Sequence, residues 1–228
     1  MSILHTEAVD RILKLTAPES DAVREEMEAR ADRERFPTVG PEVGAFLRLC
    51  VRMRGVSSAI EFGSGFGYSA YWMAPAIGSD GRIVLTEFDA DELEQARDYF
   101  ERGGLEDRAT FEHGDALEIV ERYDGPFDLV LLDHETSRYV EGFEAVRGKL
   151  SENAVVIADN VLHTGAVRPD DLVDALEGES RVSESERSTS KHPSLEGAVA
   201  YLEHVRSDPD FETAVVPLGD GLVVSVRL

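Results

Sequence analysis

Ala59-Ile60-Glu61-Phe62-Gly63-Ser64-Gly65-Phe66-Gly67-Tyr68-Ser69 is the stretch that decides the fold of this 228-residue chain. A short apolar run carrying one acidic residue breaks into three alternating glycines and then turns helical. Glycines at 63, 65 and 67 permit a sharp bend and a close backbone approach to a bound nucleoside, where a Cβ would clash. The dinucleotide fingerprint G-x-G-x-x-G needs glycine at 68, and Tyr68 stands there. The stretch therefore reads as a strand, a glycine turn and a helix that bind a nucleoside other than a dinucleotide.

Outward from it, strand and helix patterns alternate. Apolar runs at 56–62, 82–87, 109–113, 127–132 and 153–158 predict strands. Helical patterns near 68–77, 90–102, 115–122 and 138–150 separate them. Such alternation implies right-handed βαβ units and a mostly parallel sheet with helices on both faces. At the end of the chain, runs at 211–217 and 222–227 flank Leu218-Gly219-Asp220-Gly221 and predict an antiparallel hairpin. Before the sheet come two charge-rich helical segments, roughly 2–15 and 20–34, and a third helix after Pro41. One domain is expected, with a helical cap over 1–35 and a cofactor-binding α/β core over 36–228. Residues 178–190, almost wholly Ser, Glu, Arg and Thr, predict a surface loop over the site.

Composition narrows the function. The chain has 46 acidic and 23 basic residues, a formal net charge of −23. Lys14, Lys149 and Lys191 are its only lysines, and the carboxylates are spread along its length. That field repels phosphate backbones, so no nucleic acid partner is expected. It suits a highly soluble protein, or a halophilic one in which salt screens self-repulsion. Cys50 is the single cysteine and lies in the apolar series Val43, Phe46, Leu47, Val51, which predicts core packing. With neither a leader pattern nor a membrane-length apolar run, a cytoplasmic protein without membrane contact is expected. His5, His113, His192 and His204 read as surface or loop residues, and Trp72 and Met73 as core.

Candidate ligand-binding residues follow the strand ends, because an open α/β sheet binds beyond the carboxyl ends of its strands. Glu87 ends the second strand 20 residues after Gly67, where a carboxylate can accept both ribose hydroxyls. Asp115, after the third strand, can accept from an adenine amino group. The fourth strand ends in Asp133-His134-Glu135 and the fifth in Asp159-Asn160. If those strands are neighbours, about 4.8 Å apart, Asp133, Asp159 and Asn160 converge as a hard oxygen site suited to Mg²⁺ or Ca²⁺. Taken singly, the same residues also suit a helix cap and a turn.

The G-x-G-x-G turn behind Glu61 is similar to the first motif of class I S-adenosylmethionine-dependent methyltransferases. Together with Asp133 through Tyr139, Asp159-Asn160 and Pro217-Leu218-Gly219-Asp220-Gly221-Leu222, it makes residues 36–228 resemble the cation-dependent O-methyltransferases. That family includes catechol and caffeoyl-coenzyme A O-methyltransferases. The resemblance implies a Rossmann-like, seven-stranded, mostly parallel sheet with the antiparallel hairpin at its end. It implies S-adenosylmethionine held by Val39, Glu61, Gly63, Gly65, Gly67, Ser69, Glu87, Asp115, Asp133 and His134. Thr38-Val39-Gly40, Glu61 and Ser69 would lie toward the methionine end. It further implies a divalent cation, Mg²⁺ first, on Asp133, Asp159 and Asn160, chelated by both hydroxyls of a catechol. Asp133 is then the catalytic candidate, a small aromatic diol the substrate, and a homodimer the assembly.

One position departs from the family. Many relatives carry a general-base lysine that aligns, between Asp133 and Tyr139, with Thr136. A threonine hydroxyl does not accept a proton near neutral pH. A divalent cation can lower the pKa of bound water from about 15.7 to about 7, and a similar pull on a phenol near 10 would supply phenolate without a lysine. Two other readings stay open: a metal-independent small-molecule methyltransferase with another acceptor, and a catalytically silent S-adenosylmethionine-binding homodimer.

Overall fold

Within Phe127–Leu132, Leu129 and Leu131 are buried in one core while Val130 and Leu132 are buried in another. A strand apolar on both faces belongs in a sheet covered on both sides by helices. A computed structural model describes residues 7–16, 18–163, 168–177 and 193–228. Seven strands are present among them: β1 Ser58–Phe62, β2 Arg82–Glu87, β3 Ala109–His113, β4 Phe127–Leu132, β5 Leu150–Ala158, β6 Phe211–Val216 and β7 Leu222–Arg227. They form one sheet in the order β3-β2-β1-β4-β5-β7-β6. The first five are parallel, and β7 runs antiparallel to both β5 and β6.

One face is covered by α2 (Ala22–Glu34), α3 (Gly40–Arg54), α4 (Tyr68–Met73) and α5 (Ala90–Arg102), with α1 (Glu7–Thr16) lying against α3. Met27, Leu47, Trp72 and Phe100 fill that core, and Cys50 is buried in it. The opposite face carries α6 (Ala116–Val120), α7 (Tyr139–Arg147), α8 (Pro169–Leu176) and α9 (Pro193–Ser207) around Phe143, Leu172 and Tyr201. Helix α2 has little apolar surface of its own. It is held by Met27 and by two arginines whose guanidinium groups lie over aromatic rings, Arg24 on Trp72 at 3.8 Å and Arg30 on Phe66 at 4.6 Å.

Strands β2, β3 and β4 and helix α5 have the bounds expected of them. The helix expected over 68–77 ends at Met73, because Pro75 cannot donate to its ladder and the chain tightens into a 3-10 turn, Ala74–Ala76. Helices α8 and α9 are additions. Ala198, Tyr201 and Val205 of α9 repeat at helical spacing, but Gly197 and the adjoining polar tract obscure the pattern. The loop expected over 178–190, with His5 and His192, lies outside the described residues. No helix among the described residues is long and apolar enough to cross a membrane.

Candidate active site

The glycine turn is built by hydrogen bonds to β2. Gly63 and Ser64 both donate to the carbonyl of Thr86 at 3.1 and 3.0 Å, while the Thr86 hydroxyl donates to the carbonyl of Glu61 at 2.7 Å. Neighbouring protein alone leaves no room for a side chain at these glycines. A Cβ on Gly63 would sit 2.6 Å from the Asp133 carbonyl oxygen, and one on Gly65 3.0 Å from the Phe36 ring. At Gly67 it would press on Ala96 of α5. All three have positive φ, at 83°, 50° and 83°. Gly63 and Gly65 line the adjacent cavity; Gly67 lies outside its lining.

That cavity, of about 930 Å³, runs along the carboxyl ends of β1, β2, β4 and β5. Thr38, Val39, Gly63, Gly65, Ser69, Glu87, Asp115, Asp133, His134, Asp159 and Asn160 all line it, so eleven residues singled out from six separate parts of the chain share one wall. Besides Gly67, Glu61 is the exception. It is fully buried behind the wall, accepts a hydrogen bond from the Ser69 hydroxyl, and has no partner for Oε2. Burial pushes its carboxyl up to about 7.

Toward β2 and β3 the wall holds two oriented carboxylates. Glu87 accepts from the Gly65 amide through Oε2 at 2.8 Å and from the Asp89 amide through Oε1 at 3.0 Å. Each oxygen keeps a lone pair for a ligand hydroxyl. Asp115 caps α6 by accepting from the Leu117 amide at 2.9 Å, and accepts from Arg138 at 2.8 Å. The Arg138 guanidinium holds the Asp115 carboxyl below the usual carboxylate range. Phe88, 80% exposed, forms the lip beside Glu87. An apolar ring at that exposure beside two carboxylates suits the face of a nucleobase.

At the other end the neighbouring strands bring the acidic pair together. β4 and β5 are paired with Leu132 opposite Ala158, and the amide of Asp159 donates to the Leu132 carbonyl at 3.0 Å. The Asn160 side-chain amide donates to Asp133 Oδ1 at 2.7 Å, and its backbone amide donates to Asp159 Oδ1 at 2.7 Å. Asn160 achieves this in the left-handed region, at φ 58°. Burial, then the nearby Asp159 and Glu61 charges, hold Asp133 well above the usual carboxylate range. Burial pushes Asp159 up to about 6, and the Asp220 charge adds to it. One half-buried and one buried carboxylate with an amide are a hard oxygen set that would suit a divalent cation, the Asn160 carbonyl oxygen becoming available on rotation of its amide. Among the described residues no group of three or more His, Cys, Asp or Glu side chains has metal-binding geometry. The candidate rests on two aspartates and an asparagine.

His134 sits between Phe62 and Tyr139, with ring centroids 5.4 and 5.2 Å away, in space that Gly142 leaves open. Burial pushes its imidazole down to about 4, so it is neutral over the physiological range. Thr136 does not line the cavity. It is buried at the start of a 3-10 turn, Thr136–Arg138, and its carbonyl packs against Gly197 of α9. Asp220, in the β6–β7 turn, also lines the cavity; the sequence signals it only through its place in the Pro217–Leu222 segment. Arg138 is the one arginine or lysine lining the cavity among the described residues, so the space favours cationic ligands.

A family model described as O-methyltransferase matches residues 17–228. A catechol O-methyltransferase of Niastella koreensis is 30% identical over 149 residues, 63% of this chain and 67% of that protein. Another catechol O-methyltransferase, from Mycobacterium tuberculosis, is 30% identical over 162 residues, 70% of this chain and 74% of the relative. Among solved structures, the O-methyltransferase from Bacillus cereus in complex with SAH superposes with a TM-score of 0.81 at 25% identity, covering 97% of each chain.

Proposed function

The chain belongs to the O-methyltransferase family, and on that footing we propose that it moves a methyl group from S-adenosylmethionine to a hydroxyl of a small aromatic diol held on a divalent cation. The observation that carries the reading is the Asp133–Asp159 pair, half-buried at Asp133 and buried at Asp159, with Asn160 bridging it at the ends of adjacent strands. Among the described residues no arginine or lysine offsets this pair, and a cation is the simplest group that would. The SAH bound by the Bacillus cereus relative and the catechol named for two others support donor and acceptor.

The chain's own residues divide the work along the cavity. Glu87 and Asp115 are oriented to accept from a ribose and an adenine amino group, and Phe88 offers a ring face at the lip. Thr38 and Val39 close the opposite end, where an acidic wall suits a sulfonium and an ammonium. Asp133, Asp159 and Asn160 would hold the cation, which when bound supplies Lewis-acid polarisation of the acceptor hydroxyl. Fixing the two reactants in line removes much of the entropic barrier to a bimolecular transfer. Neutral His134 packs beside the site without contributing charge that would oppose the sulfonium. Homodimer formation, as in family members, completes the proposal.

The test is methyl transfer from labelled S-adenosylmethionine to a panel of catechols, with Mg²⁺ and again with a chelator. Transfer that vanishes on chelation is the expected result. Transfer indifferent to chelation would move the assignment to a metal-independent methyltransferase.

A further inference from the structure

From the geometry around the β6–β7 turn we infer that Asp220 and His163 act as one proton-accepting pair for the acceptor hydroxyl, taking the place of the family lysine. The inference rests on the metal-assisted O-methyl transfer proposed above.

The lysine position cannot serve here. Thr136 is buried beneath α9 and lies off the cavity. Asp220, by contrast, is on the cavity wall, and its charge acts on both Asp133 and Asp159. It also stands at the reacting end. The preceding Gly219 packs on Val43 and approaches the Val39 carbonyl, beside the loop that closes the donor end of the cavity. On the outer side of Asp220, its Oδ1 is 3.5 Å from His163 Nδ1, and the imidazole is half-exposed to solvent. The carboxylate thus stands at the cavity mouth, open to solvent on its other side, with the imidazole next to it.

This placement is imposed by the backbone. After β5 the chain docks on the turn through three hydrogen bonds: Val161 to the Gly221 carbonyl at 3.0 Å, then Leu162 and His163 to the Asp220 carbonyl at 3.0 and 2.9 Å. Gly221 has φ 93°, and a Cβ there would collide with Leu162. Two distant segments are therefore held in register, so that residues 163 and 220 meet.

In the step itself, the O–H bond of the acceptor breaks and its proton passes to the Asp220 carboxylate. The freed oxygen pair forms the bond to the methyl carbon, and the carbon–sulfur bond breaks with its electrons left on sulfur. The proton then moves to the neighbouring His163 Nδ1 and leaves to water. General-base assistance is typically worth about 10²–10⁴-fold.

The experiment compares wild type with Asp220→Asn, His163→Gln and the double variant. Its readouts are kcat on a catechol, Mn²⁺ affinity, and the absorbance of 4-nitrocatechol bound with S-adenosylhomocysteine and Mg²⁺. The pair predicts that each single variant loses about 10²-fold or more in kcat and that the double variant is no worse than the poorer single. Mn²⁺ affinity should stay within about threefold, and nitrocatecholate colour on the enzyme should appear at higher pH in all three variants. A His163→Gln enzyme with wild-type kcat and colour overturns the pair. So does an Asp220→Asn enzyme whose loss is entirely one of Mn²⁺ affinity, since Asp220 would then be a ligand of the ion. A wild type that methylates no catechol overturns the parent reading and the pair with it, whereas failure of the variants alone overturns only the pair.

Discussion

Glu61 stands behind the cavity wall and meets the site only through Ser69, which lines it. Its carboxyl is fully buried, bonded on one side to Ser69 and unpartnered on the other, and burial raises it to about 7 against an ordinary value of 4.5. A carboxyl raised on folding stabilises the fold fully below its unfolded value and loses that contribution as pH climbs through the folded one. The window is therefore pH 4.5 to about 7, and a shift of that size corresponds to about 3 kcal/mol. Glu61→Gln keeps an acceptor for Ser69 and removes the titration. Its melting temperature minus that of wild type should rise steadily across that window and level off above about pH 8. A flat difference would mean that Glu61 is already ionised at low pH or that the folded protein lets water reach it.

Helix α9 decides how the substrate end of the site is supported. Gly197 admits the 3-10 turn that carries Thr136 and Arg138, and any Cβ there would meet the Thr136 carbonyl and Ser137. Overpacking of this kind costs about 1–3 kcal/mol, so Gly197→Ala should melt roughly 2–12 °C lower in a chain of this size. Thr136→Lys should behave in the same way. A long cation forced under α9 lowers the melting temperature and raises no activity; a faster enzyme would show that the turn can open to the cavity. The parallel strands and their acidic ends were legible because each strand is an apolar run closed by Glu87, Asp133 or Asp159, and parallel pairing then aligns those ends. Helix α9, the burial of Thr136 and the meeting of His163 with Asp220 were not. They depend on contacts between segments that local periodicity does not report, and Gly67 looked like a ligand contact because a glycine's neighbours are invisible in a linear sequence.

At the scale of the whole molecule the decisive quantity is charge. The 46 carboxylates face only 23 basic side chains, and several of those already sit in exposed pairs such as Arg33–Glu34 and Arg102–Asp98. Salt acts on these two populations in opposite directions. Exposed pairs are worth about 0–1 kcal/mol each and weaken as ions screen them. The unpaired excess repels itself, and that repulsion fades once the Debye length falls from about 30 Å at 0.01 M to about 3 Å at 1 M. With a net charge of −23, repulsion should outweigh the pairs. The melting temperature in KCl, with a chelator present so that no divalent cation occupies the Asp133–Asp159 pair, should climb from low ionic strength to 1 M by an amount on the order of 10 °C, equivalent to about 3 kcal/mol. Adding Mg²⁺ at 1 M KCl then isolates the second contribution, since nonspecific screening is already complete and any further rise reports binding at the Asp133–Asp159 pair. A melting temperature that falls with KCl would mean the surface pairs dominate. An acidic surface would then serve solubility alone, with no dependence of the fold on salt.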